Sequence, residues 1–454
     1  MRTLAQLVAD LEGRRTSSRA LVEECVARIE APSGEGGRVF VKYDAPGALA
    51  AADYHDRMRD LGAAASPFAG IPISIKDLFD VRGEVTTAGS VVLRSAPAAE
   101  RDAPAVARLR AAGFISLGRT NMTEFAFSGL GINSHYGTPL NPHERRVGRI
   151  PGGSTSGGAV SVVDGMAYAA LGTDTGGSCR IPAALCGVVG FKPTARRVPL
   201  DGAFPLSQSL DSIGPLAASV ADCATLDSLL SGESELAEIE WPLAGLRLAV
   251  PQSLVLDGLD QQVARSFERA LLKLAAAGAR ITDIPLAELK QLPDINRKGG
   301  LVTAEAYAIH RERLDTGASA TLYDPLVLSR ILRGRQQDAA DYLELLRIRA
   351  DLRRRVEAML APYDAVLMPT VPIVAPPLAQ LQPQDEYTRV NMLMLRNTSI
   401  ANFLDRCSIS IPCHDAGTLP AGLMIVAAHG ADRRLLAIGT AIERLVAPAW
   451  DVAA

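Results

Sequence analysis

Apolar and polar positions recur along this chain with helical and strand periods in turn. Amphipathic helices are predicted over residues 4–11 and 18–29, the second with its apolar residues on one stripe. A further helix over residues 263–277 lies between predicted strands at 246–251 and 281–284. This β-α-β order favours a sheet with parallel pairs, so the chain is predicted to have an α/β fold.

The remaining pattern extends the same alternation. A helix is predicted over residues 101–112 and is followed by a short strand at 114–117. The polar stretch 231–242 is typical of a linker. Beyond it, a long charged helix over 339–360 has a mostly solvated face, and residues 364–372 are predicted to form a buried strand that ends in a proline turn.

One segment, residues 151–194, is unusually rich in glycine and serine. Gly-Gly-Ser occurs there twice, ending at Ser154 and at Ser178, with apolar runs 159–163 and 166–171 between the two copies. Such runs can form packed elements, which a flexible linker would lack. Glycines before Ser178 allow consecutive backbone N–H groups to converge on one point, as an oxyanion hole requires. The segment therefore predicts a nucleophile loop.

A serine nucleophile needs a base to take its proton. The six histidines are scattered and none lies in a recognisable catalytic frame, although a Ser-His-Asp triad can be assembled from distant segments. Lys76 is the other candidate, because it follows Ile71, Ile73 and Ile75 on an apolar strand. Desolvation would lower the lysine pKa and supply a neutral amine. Alternatively, only the stem of Lys76 is buried and its ammonium group reaches water.

Residues close to the two serines have simpler interpretations. We expect Asp174 and Arg180 to form a charge pair that braces the glycine turn rather than to take part in the chemistry. Cys179 is interpreted as a small packed side chain rather than a rival thiol nucleophile. Thr120 and Asn121 offer capping oxygens, and with the residues that follow they predict the start of a helix.

Taken together, the segments 152–194, 70–77 and 86–90 resemble the amidase signature family of serine hydrolases. The resemblance implies a Ser-Ser-Lys triad, in which a bridging serine is usually preceded by a cis peptide bond. By position in the matching segments, Ser178 would be the nucleophile, Ser154 the bridging serine and Lys76 the base. The implied oxyanion hole is made by the backbone N–H groups of Thr175, Gly176, Gly177 and Ser178.

The resemblance also implies a fold and an activity. The fold would be a single α/β/α domain with a large mixed β-sheet covered by helices, spanning residues 1–454. Its signature core would occupy about residues 65–230, and a variable part that shapes the substrate pocket about residues 240–390. The activity would be hydrolysis of a small carboxamide or ureido-type C–N bond through a seryl acyl-enzyme, releasing ammonia or an amine and a carboxylic acid.

Two other functions stay open. The chain also resembles the glutaminase component of a tRNA-dependent amidotransferase, which would need partner subunits, although residues 396–405 do not look like the usual closing region of that component. A non-catalytic binding member of the fold is disfavoured because both serines and the lysine are present. A cluster of arginines before the signature could bind a substrate carboxylate or form an exposed loop: Arg145, Arg146 and Arg149.

Composition limits the partners and the location. The chain has 454 residues, 48% of them hydrophobic and 21% charged, with a net charge of −3, so it can bury an extensive core and has no bulk attraction for nucleic acid or anionic membranes. Six cysteines without a CxxC pair are typical of a reduced cytoplasmic protein. The start of the chain lacks the unbroken apolar region of a signal peptide, and no stretch reaches the roughly 18 apolar residues that span a bilayer. We expect a small-molecule amide substrate, no cofactor or metal, and no nucleic-acid or membrane partner; a homodimer stays open.

Overall fold

The computed structural model describes residues 1–233, 241–315 and 320–448. Most of the linker predicted over residues 231–242, and the last six residues of the domain predicted over residues 1–454, lie outside the described residues.

A mixed β-sheet dominates the described chain. Its strands are β1 (Phe40–Tyr43), β2 (Pro72–Lys76), β3 (Ile115–Thr120), β4 (Ala169–Asp174), β5 (Val189–Lys192), β6 (Ser212–Ala217), β7 (Arg247–Pro251), β8 (Arg280–Ile284), β9 (Ala365–Pro369), β10 (Ser408–Pro412) and β11 (Gly422–Val426). In the sheet they follow the order β1-β3-β2-β4-β6-β5-β10-β11-β9-β7-β8. The pairs β2–β3, β2–β4, β7–β8 and β7–β9 are parallel, and the other neighbouring strands are antiparallel.

Helices occupy most of the connections between these strands. They are α1 (Leu4–Glu12), α2 (Ser18–Ile29), α3 (Gly36–Val39), α4 (Ala45–Asp60), α5 (Pro104–Ala111), α6 (Ser156–Val163), α7 (Arg180–Cys186), α8 (Val220–Ser231), α9 (Gln261–Ala276), α10 (Leu292–Ile295), α11 (Gly300–Asp315), α12 (Pro325–Arg333), α13 (Ala339–Leu360), α14 (Gln384–Phe403) and α15 (Asp432–Val446). The predicted α/β fold with a large mixed sheet is confirmed. No helix in the described ranges is both long enough and apolar enough to cross a membrane.

Local sequence signals explain where several helices begin. Thr3 caps α1 through a capping box with Gln6, and the Ser17 side chain accepts from the backbone N–H of Ala20 at the start of α2. Both helices bury the apolar stripe that the periodicity indicates. The predictions for α9, α13 and the strands β7 to β9 agree with the structure to within a few residues.

The helix start predicted at Thr120 and Asn121 is wrong. Thr120 is the last residue of β3, paired with Phe40 of β1 and with Lys76 of β2. The Asn121 amide donates to the carbonyl oxygens of Arg38 and Gly137, both at 2.8 Å, so it ties distant segments together instead of capping a helix. Only a single 3₁₀ turn follows, over Glu124–Ala126. Strand pairing has overridden the local capping signal.

Candidate active site

Lys76 lies at the carboxyl end of β2, beside the parallel strand β4. Because parallel strands end at the same edge of a sheet, this end of β2 lies next to Thr173 near the end of β4. Lys76 Nζ is 2.8 Å from Ser154 Oγ and 2.9 Å from Thr173 Oγ1. The side chain is 0% exposed, so the alternative in which its ammonium group reaches water is wrong.

The surroundings of Lys76 increase the fraction of neutral amine. Burial lowers the pKa of Lys76 to about 8, although nearby acidic groups, including Asp174 and Asp211, oppose the shift. None of the acidic side chains in the described ranges forms a salt bridge with Lys76. A pKa of about 8 leaves roughly a tenth of the lysine uncharged at neutral pH, far more than an exposed lysine offers.

Ser154 follows a tightly packed glycine pair at the entry to α6. The Gly153–Ser154 peptide bond is cis, as the family resemblance implies. The Ser154 hydroxyl is buried against Lys76, and its backbone carbonyl accepts from the N–H of Thr123 at 3.2 Å. A Cβ atom at Gly153 would lie 2.5 Å from the backbone nitrogen of Gly131, so no larger residue fits before this serine.

Ser178 lies on the loop between β4 and α7 and is 4% exposed. Its backbone carbonyl accepts from the N–H of Thr155 at 3.3 Å, which holds the two serine segments side by side. Its hydroxyl has no hydrogen-bond partner among the residues that the structure describes. The structure thus joins Lys76 to Ser154 directly and brings Ser178 next to them through the backbone alone.

The loop that carries Ser178 is braced by a buried ion pair, as predicted. Arg180 Nη2 is 2.7 Å from Asp174 Oδ1, Nε is 3.0 Å from Oδ2, and both side chains are 0% exposed. Burial alone would raise the pKa of Asp174, but the Arg180 guanidinium outweighs it and holds that pKa at about 2. Asp174 also accepts from the Cys179 N–H at 3.0 Å. Cys179 is itself fully buried, and burial raises the pKa of its thiol, which agrees with its interpretation as a packed side chain.

A second brace comes from α14, which the sequence reasoning missed. Thr398 Oγ1 donates to the carbonyl of Gly176 at 2.6 Å, and the Asn402 amide donates to Asp174 Oδ1 at 2.9 Å. Gly177 has φ of +138°, and a Cβ atom there would lie only 2.3 Å from Thr398 Oγ1. Thr398 and Asn402 are buried polar residues four positions apart, which places them on one helix face, and that spacing is the signal that could have revealed them.

These two braces leave one set of backbone donors unused. In the described chain, no hydrogen bond is donated by the backbone N–H groups of residues 175–178. Thr175 is fixed through its side chain instead, since its hydroxyl donates to Asp211 Oδ1 at 2.5 Å. Free N–H groups on a rigid turn beside a serine hydroxyl are what an acyl oxyanion requires.

A cavity of about 400 Å³ reaches this loop. Its wall includes Thr173, which contacts Lys76, and Thr175 of the nucleophile loop. Asp211 also lines it; burial raises the pKa of Asp211 to about 6, opposed by hydrogen bonds from Thr175, Ser207 and Leu206. The volume suits a small organic molecule.

The histidines and the arginine cluster lie outside this arrangement. None of the described histidines is hydrogen-bonded to Ser154 or Ser178. His310, for example, packs among aromatic rings, and burial lowers its pKa to about 4. Arg145 pairs with Asp164 at 2.8 Å and Arg149 with Glu144 at 2.6 Å. These ion pairs favour a structural role for Arg145 and Arg149 over carboxylate binding, whereas Arg146 is exposed and has no ion pair within the described ranges.

A family model described as Amidase matches residues 20–436, which is most of the chain. The chain belongs to the amidase family. It is 36% identical to the 2-amino-5-chloromuconic acid deaminase of Comamonas testosteroni over 448 residues, covering 98% of this chain and 96% of that protein. The crystal structure of an amidase superposes with a TM-score of 0.88 at 32% identity, covering 98% of this chain and 100% of the other.

The family match confirms the predicted resemblance, and the chain is an amide-hydrolysing enzyme. The same family includes components of larger enzymes. One glutamyl-tRNA(Gln) amidotransferase subunit, from Chromohalobacter salexigens, is 34% identical over 476 residues, covering 96% of this chain and 95% of that protein. Sequence identity to this subunit is thus close to the identity to the deaminase.

Proposed function

We propose that this amidase cleaves a small carboxamide or ureido-type C–N bond through an acyl-enzyme on Ser178, with Lys76 and Ser154 as a proton relay. The observation that carries the proposal is the 2.8 Å contact between Lys76 Nζ and Ser154 Oγ, which joins two side chains that are each 0% exposed. A neutral amine there can accept a hydroxyl proton, and a buried serine can pass one on.

The first half of the reaction forms the acyl-enzyme. Neutral Lys76 accepts the proton of Ser154, Ser154 accepts the proton of Ser178, and Ser178 Oγ bonds to the carbonyl carbon. The carbonyl π electrons move to oxygen, whose negative charge the free N–H groups of residues 175–178 stabilise. The relay then returns a proton to the nitrogen, the carbonyl double bond re-forms as the C–N bond breaks, and ammonia or an amine leaves.

The second half repeats the same steps with water. Lys76 is again uncharged once the leaving group has taken its proton, so the relay can draw a proton from a water molecule. That water attacks the ester carbonyl, the carbonyl double bond re-forms as the bond to Ser178 Oγ breaks, the relay returns its proton to Ser178 Oγ, and a carboxylic acid is released. Fixed Thr175 and Gly176 serve both halves, because the same oxyanion forms twice.

The proposal extends to domain organisation and location. We take residues 1–454 as one amidase domain in the cytoplasm, with a variable part over about residues 240–390. In support, β2 to β6 and β7 to β9 share one sheet, and the six cysteines are unpaired and buried, which suits a reducing compartment.

Ammonia release from a panel of small amides tests the proposed function. We expect turnover by the native protein, covalent labelling of Ser178 by a fluorophosphonate, and a loss on the order of a thousandfold or more in Ser178→Ala. Cys179→Ser, beside the nucleophile, is the matched control and should keep labelling. Failure of the fluorophosphonate to label Ser178 would contradict the proposal.

One additional assay distinguishes the glutaminase component of an amidotransferase from a stand-alone enzyme. If ammonia is released from glutamine only after partner subunits are added, and from no other amide, the chain acts as a glutaminase component. Release of ammonia from small amides by the isolated chain supports the stand-alone hydrolase. The name of the deaminase relative carries no subunit designation, which favours the stand-alone hydrolase.

A further inference from the structure

One arginine in the wall of the active-site cavity differs from its neighbours. Arg196 lines the cavity together with Thr173, Thr175 and Asp211, and its side chain is exposed. Within the described residues it has no hydrogen bond and no ion pair. The adjacent Arg197, in contrast, pairs with Asp227 and Glu233, both at 2.8 Å.

The backbone at Arg196 is strained. Its φ is +66°, in the left-handed region where a side chain with a Cβ atom is disfavoured and glycine is the default. Backbone strain of this kind persists where the surrounding structure holds it, and it concentrates at ligand-binding positions. Arg196 therefore combines strain, a free guanidinium and a place in the cavity wall, none of which contributes to stability.

From these three features we infer that Arg196 binds a carboxylate group of the substrate, so that the substrates are small amides or ureido compounds that also carry a carboxylate. The inference rests on the proposed function of the same site. A guanidinium presents paired donors that match the two oxygens of a carboxylate, and it remains charged at any physiological pH.

The other charges of the cavity are compatible with this assignment. Asp211 is committed to the protein, because it accepts from Thr175 Oγ1 and from the backbone N–H groups of Leu206 and Ser207. Asp201, at the exposed rim, has no hydrogen bond or ion pair in the described ranges. It does not neutralise Arg196 by direct pairing, but its negative charge would oppose an anionic substrate. Removing the charge of Arg196 and removing the charge of Asp201 should therefore have opposite effects on the binding of the same anionic substrate.

The test compares succinamate, an amide with a remote carboxylate, with butyramide, a neutral amide of similar length. The native protein should prefer succinamate in kcat/KM by at least about tenfold. Arg196→Gly removes the guanidinium and relieves the strained backbone. It should therefore keep or raise Tm, lose that preference through a higher KM for succinamate, and leave butyramide turnover nearly unchanged.

Two further variants control for fold and charge. Arg14 also has a left-handed backbone, with φ of +54°, but it is exposed, pairs with Asp60 and does not line the cavity. Arg14→Gly should leave the substrate preference intact. Asp201→Asn should lower KM for succinamate, because it removes the opposing charge. A preference that survives in Arg196→Gly would overturn the inference.

A binding readout makes the result independent of turnover. Succinamate should protect Ser178 from fluorophosphonate labelling at lower concentration than butyramide does, and this advantage should disappear in Arg196→Gly. Equal protection by both compounds in the native protein overturns the role of Arg196 while the labelling itself still supports the proposed function. If Ser178 is not labelled and no amide is hydrolysed, the proposed function fails and this inference fails with it.

Discussion

Arg180 contacts both carboxylate oxygens of Asp174 in a pocket where neither side chain is exposed to solvent. Asp174 ends β4 and Arg180 begins α7, so the pair closes the turn that carries Ser178. The guanidinium also donates to the carbonyl of Thr398 at 2.8 Å and to Asn402 Oδ1 at 2.7 Å. The geometry of the nucleophile loop therefore depends on an interaction that water does not screen.

Removing one partner of this pair should strongly destabilise the protein. In Arg180→Leu the Asp174 carboxylate stays buried without its counter-charge, and we expect a loss of about 3 to 5 kcal/mol in the free energy of unfolding. Denaturant titration measures it. Arg389→Leu is the control, because Arg389 pairs with Glu386 at the surface of α14. Its free energy of unfolding should not differ measurably from that of the native protein. Equal stability of the two variants would show that the buried pair does not hold the loop.

Gly177 should tolerate no side chain. In Gly177→Ala the new Cβ would lie 2.3 Å from Thr398 Oγ1 at a backbone φ of +138°, so the loop must shift and the oxyanion donors move with it. We expect kcat to fall by about a hundredfold or more. Gly165→Ala is the matched control, since Gly165 also has a positive φ, +69°, but nothing lies within 4 Å of the position that its Cβ atom would take.

Both glycine variants are judged by kcat and by the rate of Ser178 labelling. Gly165→Ala should lose a little stability and no activity. If Gly177→Ala is as active as Gly165→Ala, the position of the Gly177 backbone is unimportant for the oxyanion.

Glu305 should matter for substrate binding more than for the chemistry. It lies on α11 and accepts from Ser207 Oγ, from the hydroxyl and backbone N–H of Ser209, and from the Tyr342 hydroxyl. These contacts hold the loop that contains Gln208, which lines the cavity. Glu305→Gln should therefore raise KM by about fivefold to tenfold with a smaller change in kcat.

Steady-state kinetics with the best amide of the panel measures the separate effects on KM and kcat. Glu312→Gln is the control, because Glu312 lies on the same helix with its side chain exposed. A fall in kcat without a change in KM would mean that Glu305 acts on the nucleophile loop rather than on substrate binding.

Much of the fold was predictable because it is encoded locally. Thr3 and Ser17 cap α1 and α2 at positions where capping residues are expected. The periodic charged pattern of α13 can be seen in the sequence over the full length of the helix. The helix start at Thr120 and Asn121 failed for the opposite reason. The backbone of Thr120 pairs in the β-sheet, and the Asn121 amide group donates to distant carbonyl oxygens, which no local pattern reveals.

The candidate site divides in the same way. Lys76, Ser154 and Ser178 belong to segments whose composition points to them, whereas Thr398 and Asp211 act through contacts made only after the chain has folded. Thr398 comes from a helix more than two hundred positions along the chain from the loop it holds. The strain at Arg196 is likewise invisible in the sequence, because it is a property of the backbone.

The pH dependence of Ser178 labelling by a fluorophosphonate tests the central claim, that an uncharged Lys76 activates the nucleophile. Burial lowers the pKa of Lys76 to about 8, and the base works only when deprotonated. The labelling rate should therefore rise from about pH 6 through a midpoint near pH 8, level off above about pH 9, and become slow and independent of pH in Lys76→Met. A rate that does not change with pH across this range, or a Lys76→Met protein that is labelled as fast as the native one, would contradict the account.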